Sequence, residues 1–205
     1  MSIATQEIAV PARRSFLGKS GLVLSAAAVG LLAGNAPLAR AKDSPAGDSA
    51  ILNVALGLEH EAIAAYQLGA ESGLLEKGVL DVAVLFQGHH KGHRDALIAA
   101  IEKLGGKPVA ARMNDDYAKA LGAGGLKSQA DVLGLAAKLE LGAVNAYLGV
   151  IPSFADKGLA KVAGRLAADE TMHWSILSHA LGKPLPAAAL SFGAVALSDS
   201  GQYHV

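Results

Sequence analysis

The sequence predicts an all-α fold, an antiparallel four-helix bundle with a long crossover between its second and third helices. Three observations carry this. The 205-residue chain is 52% hydrophobic, mostly through Ala, Leu and Val, and has only nine aromatics, a composition that favours closely packed helices. Four stretches repeat apolar residues at alternating spacings of three and four, the inward stripe of a bundle helix. These stretches form two similar pairs, each joined by a short turn, with a long link between the pairs.

Residues 1–41 stand outside this fold. Arg13-Arg14-Ser15-Phe16-Leu17 precedes an apolar run from Gly21 to Ala33, and the segment closes on Ala39-Arg40-Ala41, a small-residue cleavage pattern. Paired arginines, Phe-Leu and a mildly apolar core in this order resemble a twin-arginine signal peptide. That resemblance implies export in the folded state, to the periplasm or cell envelope, a route suited to a protein that loads its cofactor in the cytoplasm. The run is short for a membrane span and is weakened by Gly30, Gly34, Asn35 and Pro37. Cleavage takes 18 basic and 18 acidic residues to 14 and 17, a net charge near −3. With no basic run, a nucleic-acid surface is excluded. The absence of Cys excludes disulfides, thiol catalysis and thiolate metal sites.

Residues 42–48 read as a Pro/Gly-containing linker, and 49–182 as the bundle. Asp48 or Ser49 is the expected cap of a first helix running to about Leu75, with the stripe Leu52, Ala55, Glu59, Ala62, Tyr66, Gly69. A turn at Gly73 to Gly78 leads to a second helix that stops at Gly105-Gly106. Its stripe is Val79, Ala83, Phe86, His90, His93, Leu97, Ala100, Leu104. Residues 106–127 form the crossover, with a short helix expected near Asp115 to Leu121. Ser128 caps the third helix, whose stripe is Leu133, Ala136, Glu140, Ala143, Tyr147, Val150. Pro152 and Asp156 mark the break before the fourth, with Leu159, Ala163, Leu166, Glu170, His173, Leu177, Ala180. Residues 183–205 form a Pro-punctuated, then apolar tail, too short and too interrupted at Gly193 to span a membrane.

Each stripe turns polar near its middle. The first offers Glu59, the second His90-x-x-His93, the third Glu140 and the fourth Glu170-x-x-His173. Residues three apart project from one helical face, so each pair occupies two successive core positions. Burying them without partners costs roughly 2–7 kcal/mol per neutral polar group and more for a bare charge. A buried Glu–His hydrogen bond would satisfy either pair singly. Six such groups from four segments at one depth point instead to a shared polar centre.

The pairs of helices also repeat. Leu58-Glu59 and Tyr66 align with Leu139-Glu140 and Tyr147, and His90-x-x-His93 with Leu97 aligns with Glu170-x-x-His173 with Leu177. Both second members end in Leu-Gly, at Leu104-Gly105 and Leu181-Gly182. This pattern resembles the ferritin-like superfamily of ferritins, bacterioferritins and rubrerythrins over about residues 49–182. In that family two helices each give a Glu and two give Glu-x-x-His around a pair of metal ions. The resemblance implies Glu59 and Glu140 as terminal carboxylates, Glu170 as a bridging carboxylate, and His93 and His173 as imidazole ligands. Tyr66 and Tyr147 would stand behind them or quench radicals. The departure is His90, where the family has a second bridging Glu.

Four Glu match two divalent ions, whereas three leave about one positive charge unless a solvent-derived bridge supplies the balance. Two ions, one ion, or a metal-free Glu/His core are therefore all open. Imidazole and carboxylate suit iron, manganese or zinc, and iron is the choice the resemblance implies. His89, Glu61 and Gln87 lie beside the stripes and could take the vacant ligand role if the register differed. Two functions follow as expectations. One is an exported di-iron-type protein, a ferroxidase- or peroxidase-like oxidoreductase, that reacts its metal with oxygen or peroxide in stress protection. The other is a non-enzymatic structural or partner-binding envelope protein with a degenerate or metal-free site. A homo-oligomer is compatible with either.

Overall fold

The computed structural model describes residues 44–192. The expected signal segment, 1–41, and the last part of the tail lie outside the described residues. Five α-helices and no strands are found among the described residues: α1 Pro45–Glu71, α2 Lys77–Lys103, α3 Asn114–Leu121, α4 Gln129–Val150 and α5 Lys157–Ala180. Short 3-10 turns follow α3 at Ala123–Gly125 and α4 at Ile151–Ser153.

The first helix begins earlier than its sequence suggests. Ser44, not Asp48 or Ser49, is the N-cap, and its hydroxyl accepts the Gly47 N–H at 3.1 Å. Pro45 at the first helical position costs no hydrogen bond and presets φ, so most of the expected linker forms the first turn of α1. Asp48 has another task. Buried within that first turn, its carboxylate accepts the backbone N–H groups of Ala155 at 2.8 Å and Asp156 at 2.9 Å. It thereby fixes the chain entering α5, which Asp156 itself caps through Gly158 N–H. Asp48→Ala orphans two donors and is expected to cost about 1–3 kcal/mol, read as a lower denaturation midpoint with an unchanged m-value.

Helix α1 also stops earlier than Leu75, at Glu71, where the Ser72 hydroxyl donates to Gly69 O. Helix α2 starts at Lys77, within the expected turn, and the ends at Gly105 and Ser128 follow the sequence. Gly105, at φ 75°, ends the Leu104 cap of α2 in the left-handed conformation that glycine adopts without strain. Ser128 caps α4 by accepting the Asp131 N–H. Helix α1 packs along α2 and α4, α4 packs along α5, and α3 lies on α1. Residues 129–153, covering α4 and its turn, are long and apolar enough by composition to cross a membrane. In the bundle this helix lies against both α1 and α5, and a third of its most apolar window is buried.

Among the described residues two larger apolar clusters make most of the core, with smaller ones at Leu58 and Ala146 and at Ala64, Tyr117 and Leu121. At one end Leu52, Ala55 and Leu56 meet Leu97, Ile101, Tyr147, Val150, Phe154, Ala163 and Leu166. At the other, Tyr66 meets Ala83, Phe86, Leu133, Ala137 and Leu177. The start of α1 and α5 thus shares an end with the close of α2 and α4. Between the clusters lies a polar layer. Beyond α5, the tail as far as Phe192 folds back, its ring edge-on to Trp174 with centroids 5.1 Å apart.

Candidate metal centre

The polar layer contains Glu59, His90, His93, Glu140, Glu170 and His173, each less than a tenth exposed. All six sequence-selected residues converge. Their ligand-capable atoms fall into two sets, Glu59–His90–His93–Glu170 and His90–Glu140–Glu170–His173, with the atoms of each set within 4.8 Å of one another. His90 and Glu170 belong to both.

Glu170 presents one oxygen to each side. Its Oε1 lies 3.2 Å from His93 Nδ1, and its Oε2 lies 3.1 Å from His173 Nδ1. His90 likewise presents one nitrogen to each side, Nδ1 at 2.8 Å from Glu59 Oε2 and Nε2 at 3.2 Å from Glu140 Oε1. The residue that replaces the expected bridging Glu therefore still faces both sets, though as an imidazole. The tyrosines cross over: Tyr66 donates its hydroxyl to Glu140, and Tyr147 donates to Glu59.

The inward ring nitrogen of each ligand-type histidine is Nδ1, and the outward nitrogen is held from behind. Asp169 Oδ2 is 3.2 Å from His93 Nε2, and His89 Nδ1 is 2.9 Å from His173 Nε2. Outer partners of this kind fix ring orientation and tautomer. His89 thus supports His173 and joins neither set. Asp169 was missed in the sequence because it sits off the apolar stripe; its place beside Glu170 was the only signal. Gln87 is buried but bonds Ile63 O and Gln67 in the α1/α2 contact, away from the layer. Glu61 is buried too and lies outside both sets. It lines a cavity of about 20 Å³ with His90 and Glu140.

Proton affinities reflect the crowding. Burial alone would raise Glu59, but His90 and His93 outweigh it and hold the carboxyl at about 2. Glu140 is also pulled far down, by His173 and His90 against its burial. Burial lowers His93, yet the Glu170 and Glu59 carboxylates raise it to about 10. His90 and His173 are raised by their carboxylate neighbours despite burial. Glu170 goes up, chiefly because it is desolvated. Burial brings Glu61 to about 7, with Arg112 partly offsetting it.

The donor set fits a metal. Buried polar atoms are nearly always paired, yet His93 Nδ1, Glu140 Oε2 and Glu170 Oε1 make no well-formed hydrogen bond, the first and last only facing each other as an ion pair at 3.2 Å. Two of these orphans belong to one candidate set, and the third sits on a residue of the other. Oxygen and nitrogen donors without sulfur match iron, manganese or zinc.

No curated protein and no solved structure matched the chain. A family model described as ferritin-like domain matches residues 47–183, the span from the first turn of α1 past the end of α5, with every residue of the polar layer. On that match, the chain belongs to the ferritin-like domain family.

Proposed function

We propose that this protein is an exported ferritin-like metalloprotein that holds iron in the Glu/His layer and reacts it with oxygen or peroxide in stress protection. The observation that carries the reading is the pair of ligand sets sharing His90 and Glu170, with three buried donor atoms making no well-formed hydrogen bond. In this reading α1, α2, α4 and α5 form the antiparallel four-helix bundle of the family, and residues 104–128 cross along its length. Iron(II) bound in the layer would supply the electrons for reducing the oxidant. Glu59, Glu140 and Glu170 offset its charge. His93 and His173 are aimed by Asp169 and His89, and Tyr66 and Tyr147 hold the outer carboxylates by their hydroxyls. The Arg13-Arg14 segment directs export.

Anaerobic titration of the metal-free protein with iron(II) is expected to saturate near about two ions per chain, followed by an optical change on admitting oxygen or peroxide. Protein from its native compartment with less than about a tenth of an equivalent of any transition metal would overturn the reading.

One observation favours a metal-free alternative. His90 bonds both Glu59 and Glu140, closing part of the layer without an ion. Replacing both glutamates by apolar residues separates the readings. A more stable and fully functional variant would favour a structural or partner-binding protein, whereas loss of metal and activity supports the metalloprotein.

A further inference from the structure

A cavity of about 110 Å³ lies in the bundle at the end where α1 closes and α2 begins. Its walls are almost wholly aliphatic: Leu75, Val79 and Val82 from one side, Val132, Leu133 and Leu177 from the other. Tyr66 also lines it, and the Tyr66 hydroxyl is already engaged by Glu140, so no free polar group faces the space from that ring. Leu121, Ala123 and Leu126 from the connection between α2 and α4 complete the wall. The lining reaches solvent at Ile176, which is 44% exposed, and at Ala180.

A water molecule needs two to four polar partners, and these walls offer almost none. Protein interiors tolerate few voids of this size, and leaving one empty is unfavourable. The volume is about three-quarters of the roughly 150 Å³ apolar cavity that takes up benzene or xenon and stays free of water. A charged or strongly hydrogen-bonding ligand would be desolvated here without compensation. A short alkyl group meets every condition, with any polar head left in solvent past Ile176.

We propose that this cavity is a binding site for the alkyl end of a small amphiphile, seated against the ring of Tyr66. It is separate from the Glu/His layer and does not depend on a metal being held there. An occupant would nevertheless lie one side chain from Glu140, because Tyr66 joins the two.

The test uses the full metal-free chain and a series of n-alkanols, followed by methyl NMR. Saturable shifts confined to methyls of the lining, Leu75, Val79, Val82, Leu133 and Ile176 among them, are expected. Affinity should rise by about fourfold for each added methylene until the cavity is filled, then level off. Ala136→Leu narrows the space from α4 and should weaken binding at least tenfold. Leu75→Ala, at the turn before α2, enlarges it and should move the plateau to a longer alkanol. Shifts that fail to saturate, that scatter over the surface, or that persist unchanged in both variants would overturn the site. Because no metal is present in the titration, loss of the iron reading would leave these outcomes intact, and the reverse also holds.

Discussion

Glu170→Ala is expected to abolish tight binding at both ligand sets, lowering affinity by well over the 10–100-fold cost of losing an outer partner of a ligand. Glu170 is fully buried, and its two oxygens separately face His93 and His173. Among the described residues no other carboxylate belongs to both sets. Glu59→Ala removes a member of one set only. Its titration should fall from about two ions to about one, with Glu140, Glu170, His90 and His173 retaining theirs. Asp169→Asn should weaken the His93 side by roughly 10–100-fold with the stoichiometry intact, since it acts only through the imidazole. Calorimetry with zinc or anaerobic iron(II) reads all three. If Glu170→Ala still takes up two ions tightly, the sets are not joined through this residue.

The contrast between Glu170 and Asp169 marks how far the sequence could be read. Residues on the stripes were legible because helical periodicity assigns them a depth. Glu59, His90, His93, Glu140, Glu170 and His173 all interrupt an apolar pattern, and burial makes such interruptions conspicuous. Helix ends with local signals, such as Ser128 and Gly105, were legible for the same reason: cap chemistry is set within a few residues. Asp169 and His89 were not assignable, because their roles depend on which ring nitrogen of a distant helix they meet. Asp48 shows the same limit at the fold level. Its acid side chain looks like a cap for its own helix, yet it serves backbone groups 107 and 108 residues away. Ser44-Pro45 supplied a competing local start that the Asp48-Ser49 reading overlooked. The cavity beside Tyr66 left no trace in the pattern, since a void is defined by residues that fail to meet.

The metal-free protein should be most stable at about pH 4.5 and decline above it, and binding metal should remove the imidazoles' share of that decline. Glu59 has its proton affinity depressed, from 4.5 to about 2, so its contribution is present above 4.5 and is lost as pH falls through 2. His93 is raised from 6.5 to about 10, so its contribution is complete below 6.5 and disappears as pH rises through 10. His90 and His173 are raised too and act in the same direction. Glu61, a carboxyl raised to about 7, adds to the loss between 4.5 and 7, because folding favours its protonated form. A metal ion competes with protons for the imidazoles, so the alkaline loss becomes proton release upon binding. At neutral pH protons should leave on binding, drawn from the raised imidazoles His90, His93 and His173. Thermal melts across this range, with and without zinc, test the first part, and uptake in weakly buffered solution tests the second. A metal-free melting temperature that stays flat from about pH 6 to 9, or metal uptake without acidification, would show that the carboxylates do not hold these imidazoles protonated.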